Sequence, residues 1–279
     1  MKKFGIVSRA FNERSAAEAA ELMSANGMNC TELCMSHTDF PGWVYNGISK
    51  YRENNITKET VKEKAGIFRD SGIEVTAFGV FSNLLEPDDS LRENVISSFV
   101  ELMDYAAYSG IPNVTTELGF RADARGLLAD NYESDFARLV DSFSRLGREA
   151  HDRNITLCVE TCVIDVIPSA KRTRDFLRQV EEASGVKSVK VLLDMANLIA
   201  NSDEDDVFKY LADDIVYAHG KDRKVNDRSG RNFGDGDIDW AKYFINHNKF
   251  TPDAPFILEY CNESNFRETA AKVRAYKEF

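Results

Sequence analysis

Short β-rich runs alternate with longer helical patterns along the whole chain, and this alternation is the feature that most limits its fold. Eight such pairs follow one another in 279 residues, with no linker and no shift in composition between them. Parallel neighbouring strands need a helical crossover, so strict alternation indicates a parallel sheet. A doubly wound open sheet would usually have fewer repeats, and no Gly-x-Gly-x-x-Gly turn follows the first run. The sequence therefore predicts a (β/α)₈ TIM barrel, an α/β fold with a parallel eight-stranded sheet, as a single domain over residues 1–279.

The same patterns predict where the elements lie. Strands are predicted at residues 4–8, 29–35, 73–78, 113–117, 156–160, 189–194, 215–219 and 255–259. Helices are predicted at residues 15–26, 57–70, 90–109, 132–153, 171–183 and 203–212, from about residue 239, and at residues 265–279. A long polar loop precedes the seventh helix, and residues 224–232 in it are expected to form a lid over the barrel mouth.

The charge and composition of the chain exclude several classes of partner. A formal net charge of −11 repels phosphate backbones and anionic lipids, so neither nucleic acid nor a membrane is an expected partner. No stretch approaches the roughly 18 consecutive apolar residues of a membrane span, and the first apolar run is too short for a signal peptide. Five cysteines are too few and too scattered for a disulfide framework. These features predict a cytoplasmic protein.

Four residues end apolar strands in four successive repeats, namely Glu160, Asp194, His219 and Glu259. The carboxyl ends of the strands form the active-site face of a (β/α)₈ barrel, so these side chains are expected to meet in one mouth. Repulsion among three carboxylates would be costly unless they shared a cation or a proton. The set suits one divalent metal ion, with Mn²⁺, Mg²⁺ or Co²⁺ favoured and Zn²⁺ possible.

The residues around these strand ends form an ordered pattern. Asp194 is followed three residues later by Asn197, and the seventh strand ends in His219-Gly220-Lys221-Asp222, with Gly-Asp-Gly-Asp-Ile-Asp at residues 234–239 in the next loop. With a strand-ending glutamate before and after this set, the chain resembles the xylose isomerase-like TIM-barrel superfamily, in particular its sugar phosphate isomerase/epimerase branch. The resemblance covers essentially the whole chain. It is specific for the superfamily but not for the substrate.

The resemblance implies a metal-dependent isomerase or epimerase that acts on a small carbohydrate, either a sugar or a sugar phosphate. Glu160, Asp194, His219 and Glu259 would be the metal ligands. In the ketose 3-epimerases of this branch the two ligand glutamates also form the acid/base pair, so Glu160 and Glu259 would be catalytic. The expected reaction removes a carbon-bound proton, passes through an enediolate and returns the proton. Barrels of this kind often assemble, and a homodimer or homotetramer is possible here.

Five further residues are expected to bind substrate or to support the site. Lys221 and Arg223 could contact sugar hydroxyls or a phosphate, and Asp222 could instead orient His219 or Lys221. Asn197 could donate to a sugar hydroxyl or cap the segment that follows it. Glu117 ends the fourth strand and could line the pocket or pair with an arginine.

Three aromatic residues follow early strands, namely Phe11, Trp43 and Phe81. Each could form part of the apolar wall of a sugar site, although such residues more often serve ordinary packing.

Three other functions are compatible with the same scaffold. A dehydratase of the inosose or dehydroshikimate type would share the metal site and the proton abstraction, and the sequence hardly separates it from an epimerase. A phosphodiesterase of the AP-endonuclease branch needs a multi-zinc site with additional histidines, whereas this chain has four histidines and a net charge of −11 that would repel DNA. A barrel that only binds sugar would lack a ligand or a base, and all four are present.

Overall fold

The computed structural model describes residues 2–42, 56–121 and 129–279. Eight parallel strands form a closed barrel in which each strand pairs with its neighbours in the sequence. The first strand closes the barrel by pairing in parallel with the eighth, with Gly5 opposite Ile257. The predicted (β/α)₈ barrel is therefore confirmed.

The elements lie close to their predicted positions. The strands are β1 Phe4–Ile6, β2 Cys30–Leu33, β3 Glu74–Gly79, β4 Asn113–Glu117, β5 Thr156–Glu160, β6 Val189–Asp194, β7 Ile215–Gly220 and β8 Phe256–Leu258. The helices are α1 Ala16–Ala25, α2 Lys58–Asp70, α3 Asp89–Tyr108, α4 Tyr132–Asp152, α5 Ala170–Ser184, α6 Glu204–Leu211, α7 Trp240–Phe250 and α8 Phe266–Arg274. Short 3₁₀ helices that the sequence did not predict occur at Ser8–Phe11, Ala129–Asn131, Met195–Asn197 and Ala212–Asp214.

Side-chain caps fix where several helices begin. The Ser15 side chain accepts a hydrogen bond from the Glu18 backbone N–H, and the Glu18 carboxylate accepts one from the Ser15 backbone N–H, which is a capping box at the start of α1. Asp88 and Asp239 accept from the backbone in the same way at the starts of α3 and α7. Because a polar residue caps each of these helices, the polar residue before the apolar pattern correctly predicted where the helix starts.

The last helix is shorter than predicted, because the chain turns after Arg274 instead of continuing to its end. The final residue, Phe279, packs its ring against Phe4 at 5.2 Å and against Phe244 at 5.0 Å between centroids. Burying this ring beside β1 and α7 outweighs the continuation of the helix. Residues 275–279 were therefore wrongly predicted as helix.

The alternation of side chains along the strands places the site. Residues two apart on a strand share a face, so Tyr217 and His219 of β7 both point into the barrel, as their contacts with Glu32 of β2 show. On the outside, an aromatic cluster packs the loop after β7 against α7 and β8, with Phe233 and Trp240 only 4.3 Å apart between ring centroids. The cluster holds that loop over the carboxyl ends of the strands. None of the helices in the described residues combines the length and the apolar composition needed to cross a bilayer.

Candidate metal centre

The four strand-end residues meet at the barrel mouth, as predicted. One ligand atom from each of Glu160, Asp194, His219 and Glu259 lies within 4.8 Å of the others, and all four side chains are buried. The sheet register produces this convergence, because Asp194 lies opposite His219 on neighbouring strands and Glu259 directly follows β8.

The imidazole of His219 fits a metal ligand. Its Nδ1 atom is buried and makes no hydrogen bond within the described residues. This atom faces Glu160 Oε1 at 3.7 Å and Glu259 Oε2 at 3.5 Å. A buried ring nitrogen is costly without a partner, and a cation between it and the carboxylates would satisfy all of them. Three carboxylates and one imidazole form a donor set of the kind that Mn²⁺, Mg²⁺ or Co²⁺ takes.

The other nitrogen of this ring is held by Glu32, a residue that the sequence analysis missed. His219 Nε2 lies 2.9 Å from Glu32 Oε2, and the Tyr217 hydroxyl donates to the same oxygen at 2.8 Å. If Nε2 carries the proton and donates it to the carboxylate, the lone pair of Nδ1 is directed at the centre. Gly79 makes room for this arrangement, since a Cβ there would lie 2.6 Å from Glu32 Oε1. The sequence feature that could have pointed to Glu32 is that a charged residue lies inside β2, a strand that is fully buried.

Two cations lie among the carboxylates. The ammonium of Lys221 is 2.6 Å from Asp194 Oδ2, 2.7 Å from Glu259 Oε2 and 3.5 Å from Glu160 Oε1. Arg9, in the turn after β1, pairs with Glu259 and lies 3.4 Å from Glu32. The sequence predicted Lys221 as a substrate contact, and the structure places it against the predicted metal ligands as well as on the cavity wall.

Crowding of like charges affects the carboxylates unequally. Burial raises the pKa of Asp194 to about 7, an effect that Lys221 opposes and that the neighbouring Glu160 and Glu259 reinforce. Burial would also raise the pKa of Glu160, but Lys221 and His219 lower it to about 2. Burial opposes ionisation of Glu259 too, yet Lys221, His219 and Arg9 hold its pKa well below the usual range. Of the three carboxylates, Asp194 is therefore the one whose pKa is raised.

Asn197 connects this centre to Arg223. Its side-chain amide donates to Glu160 Oε1 at 2.7 Å, and its Oδ1 accepts from Arg223 Nη2 at 2.9 Å. The backbone N–H of Asn197 also donates to Asp194, which caps the 3₁₀ turn after β6. Asn197 therefore fixes the direction of Glu160, a role that the sequence analysis did not consider.

Asp222 organises the loop that follows β7. Its carboxylate faces away from His219 and Lys221, into the following loop, where it accepts from the Trp240 indole at 2.8 Å and from the Gly234 N–H at 3.1 Å. Gly236 lies so close that a Cβ there would be 2.1 Å from Asp222 Oδ1. The two sequence motifs thus form one structural unit, in which the glycine-rich loop wraps around the buried aspartate. The predicted contact of Asp222 with substrate stays a prediction, and the oxygens of Asp222 accept hydrogen bonds from this loop.

A cavity of about 260 Å³ opens directly onto the centre. Glu259 and Lys221 lie on its wall, with Phe81 and Tyr260 as aromatic surfaces and Glu117 near the end of β4. A second, larger groove of about 930 Å³ adjoins the other side of Glu259 and is lined in part by Phe11. The remaining predicted aromatic residue, Trp43, lies outside the described residues.

A parallel (β/α)₈ barrel with a buried carboxylate and histidine cluster at the carboxyl ends of its strands is a common enzyme architecture. A sequence profile of the xylose isomerase-like TIM-barrel family matches residues 20–278, and the chain belongs to that family. No curated protein sequence matches it.

Several solved structures share the fold at low sequence identity. A D-psicose 3-epimerase crystallised with D-fructose superposes with a TM-score of 0.75 at 17% identity, covering 99% of this chain and 100% of that one. A 3-keto-D-glucoside 4-epimerase from E. coli gives 0.75 at 13% identity, covering 98% and 99% of the two chains. An L-ribulose 3-epimerase gives 0.69 at 17% identity, covering 97% and 86%. Identities in this range show a shared fold and do not assign a substrate.

Proposed function

We propose that this protein is a metal-dependent isomerase or epimerase of a sugar or sugar phosphate, which moves a proton through an enediolate. The observation that carries the proposal is the convergence of Glu160, Asp194, His219 and Glu259 beside a cavity large enough for a small ligand. Family membership and the three epimerase structures of the same fold support it.

The four converging residues would hold the metal ion. A divalent ion there would polarise a carbonyl and its neighbouring hydroxyl and would stabilise the negative charge of the enediolate. Mn²⁺, Mg²⁺ and Co²⁺ fit the oxygen-rich donor set best.

The chain itself supplies two carboxylates for proton transfer. Asn197 holds Glu160 by one oxygen, and Lys221 and Arg9 hold Glu259 from two sides. Fixed carboxylates are effective general bases because their geometry needs no adjustment during the reaction. One glutamate would remove a proton from the carbon beside the carbonyl. For epimerisation, the other glutamate would deliver a proton to the opposite face of that carbon. For isomerisation, a single glutamate can suffice.

The proposal is tested by following solvent hydrogen into the sugar. The protein is stripped with chelator, reloaded with Mn²⁺ and incubated in D₂O with ketopentoses, ketohexoses and their phosphates. We expect metal-dependent appearance of an epimer or isomer that carries deuterium on carbon, detected by NMR. Glu259→Gln should lower the rate by about 10²-fold to 10⁴-fold, whereas Glu268→Gln, an exposed change on α8, should not. Unchanged turnover in Glu259→Gln would remove the acid/base role from that residue.

The dehydratase alternative is separated in the same experiment. Inosose and dehydroshikimate are included as substrates, and an unsaturated product without an epimer would assign the protein to that reaction instead.

A further inference from the structure

Arg223 is a buried cation without an acidic partner. Its side chain is 4% exposed and lines the mouth cavity. Its three hydrogen-bond partners are uncharged oxygens, those of the Asn197 side chain and of the backbone carbonyls of Asp227 and Arg228. None of the described carboxylates forms an ion pair with it, and its Nε–H is buried without an acceptor. A guanidinium has five N–H donors, so two of those of Arg223 have no acceptor among the described residues.

A second arginine stands beside it. Arg228 belongs to the predicted lid segment, residues 224–232, and its backbone carbonyl accepts from Arg223 Nη1 at 2.7 Å. The Arg228 side chain is exposed, lines the same cavity and forms no ion pair with a described residue. Two arginines from one loop therefore line the same cavity.

The other charges on the cavity wall are already balanced. Lys221 is neutralised by the carboxylates of the centre, and Arg9 lies between Glu259 and Glu32. A divalent ion would offset the carboxylates that remain. Among the described residues that line this cavity, Arg223 and Arg228 are cations that form no ion pair, and for the buried Arg223 the lack of a counter-charge is costly.

We infer that Arg223 and Arg228 form an anion subsite, and that the natural substrate carries a phosphate or carboxylate in addition to its reacting carbons. This inference rests on the proposed function, which places the reacting carbons beside Glu160 and Glu259. Planar guanidinium groups bind both kinds of anion with paired hydrogen bonds. The link from Arg223 through Asn197 to Glu160 joins this subsite to the reacting end by two hydrogen bonds.

The test compares ligands that differ only in the anionic group. Calorimetry on Mn²⁺-loaded protein measures Kd for D-fructose, D-fructose 6-phosphate and D-fructuronate, in wild type and in Arg228→Met and Arg223→Lys. We expect at least one anionic ligand to bind about tenfold or more tightly than fructose, and its identity distinguishes phosphate from carboxylate. The ratio of the Kd for fructose to the Kd for the anionic ligand should fall to near one in Arg228→Met. It should also decrease in Arg223→Lys, because lysine cannot make the paired contact. Arg178→Met, an exposed change on α5, should keep the wild-type ratio.

The outcomes separate this inference from the proposed function. Equal binding of all three ligands by wild type, or an undiminished preference in Arg228→Met, overturns the anion subsite. Solvent deuterium incorporation into neutral ketoses would then still support the proposed function. Arginine-dependent binding of an anionic sugar without any deuterium incorporation would instead support the subsite and count against the proposed reaction.

Discussion

His219 lies between carboxylates of two kinds. On one side its Nε2 meets Glu32, which is fully buried and also accepts from Tyr217. On the other side its Nδ1 faces the glutamates of the candidate centre. An imidazole can present a lone pair on only one nitrogen when the other is protonated, so Glu32 decides which nitrogen is free to bind.

Replacing Glu32 should weaken metal binding. Glu32→Gln keeps the size of the side chain but removes the charge that favours the protonated Nε2, so we expect the Kd for Mn²⁺ to rise by about 10-fold to 100-fold. Calorimetry on chelator-treated protein measures this change, with Glu74→Gln, a partly exposed change on β3, as the matched control. An unchanged Kd would show that Glu32 does not orient the histidine.

Replacing Lys221 should have the opposite effect on the metal. The ammonium lies where its positive charge opposes a second cation, so Lys221→Met is expected to lower the Kd for Mn²⁺ by at least about tenfold. The metal-free protein should be less stable, because the three carboxylates then lose the ammonium and only Glu259 keeps a cationic partner, Arg9. The shift in Tm on adding Mn²⁺ should therefore exceed that of wild type. A smaller shift would mean that Lys221 assists metal binding instead of competing with it.

At the scale of elements, the loop after β7 supports the site through one buried aspartate. The carboxylate of Asp222 accepts from the backbone of residues 223 and 234 and from the Trp240 indole. Arg223 follows Asp222 directly, so the same loop that is organised around the aspartate also positions the proposed anion subsite.

A methyl group added inside this loop should disturb it. In Gly236→Ala the new Cβ would lie 2.1 Å from Asp222 Oδ1 and 2.5 Å from the Arg223 carbonyl, where the backbone must shift. We expect a loss of about 1–3 kcal/mol in the free energy of unfolding. Denaturant titration measures it, with Gly66→Ala in α2 as the control, since nothing lies within 4 Å of the added atom. That control should be neutral or stabilising by up to about 1 kcal/mol. Equal effects from the two changes would contradict this description of the loop.

The sequence predicted the fold and the four converging residues because both follow from local patterns. Strand ends in a parallel barrel all face one way, so four polar residues at consecutive strand ends had to meet. The pattern of strand ends did not identify Glu32, because this residue lies within β2 and its partner His219 is 187 positions away in the chain. The direction of the Asp222 side chain could not be predicted from the sequence either. Neighbouring residues in a loop can point to opposite sides, and only the packing of Trp240 and Gly236 decides between them.

For the whole molecule, a buried histidine far from the reacting groups should govern part of the pH dependence of stability. His37 is 1% exposed, and both of its ring nitrogens lack a hydrogen-bond partner within the described residues. Burial, with a further contribution from Lys64, lowers the pKa of His37 to about 3. Above its unfolded pKa of about 6.5 the ring is neutral in both states. Below that value only the unfolded chain takes up the proton, so stability is lost as the pH falls.

A phenylalanine at this position should remove that loss. The stability of His37→Phe relative to wild type is expected to increase by about 1 kcal/mol between pH 7 and pH 5.5, because the difference isolates a single titrating group. Urea titrations at the two pH values measure it. His151→Gln, an exposed change on α4, should stay at a constant offset from wild type. A constant offset for His37→Phe as well would show that His37 takes up its proton as readily in the folded protein as in the unfolded chain.

The central claim for the molecule is that four strands direct Glu160, Asp194, His219 and Glu259 at one divalent cation. The most direct measurement is an anomalous-scattering map of crystals soaked in Mn²⁺. The account predicts one strong peak bonded to a carboxylate oxygen of each acid and to Nδ1 of His219. A map with manganese bound only elsewhere, or with no peak among these four side chains, would contradict it.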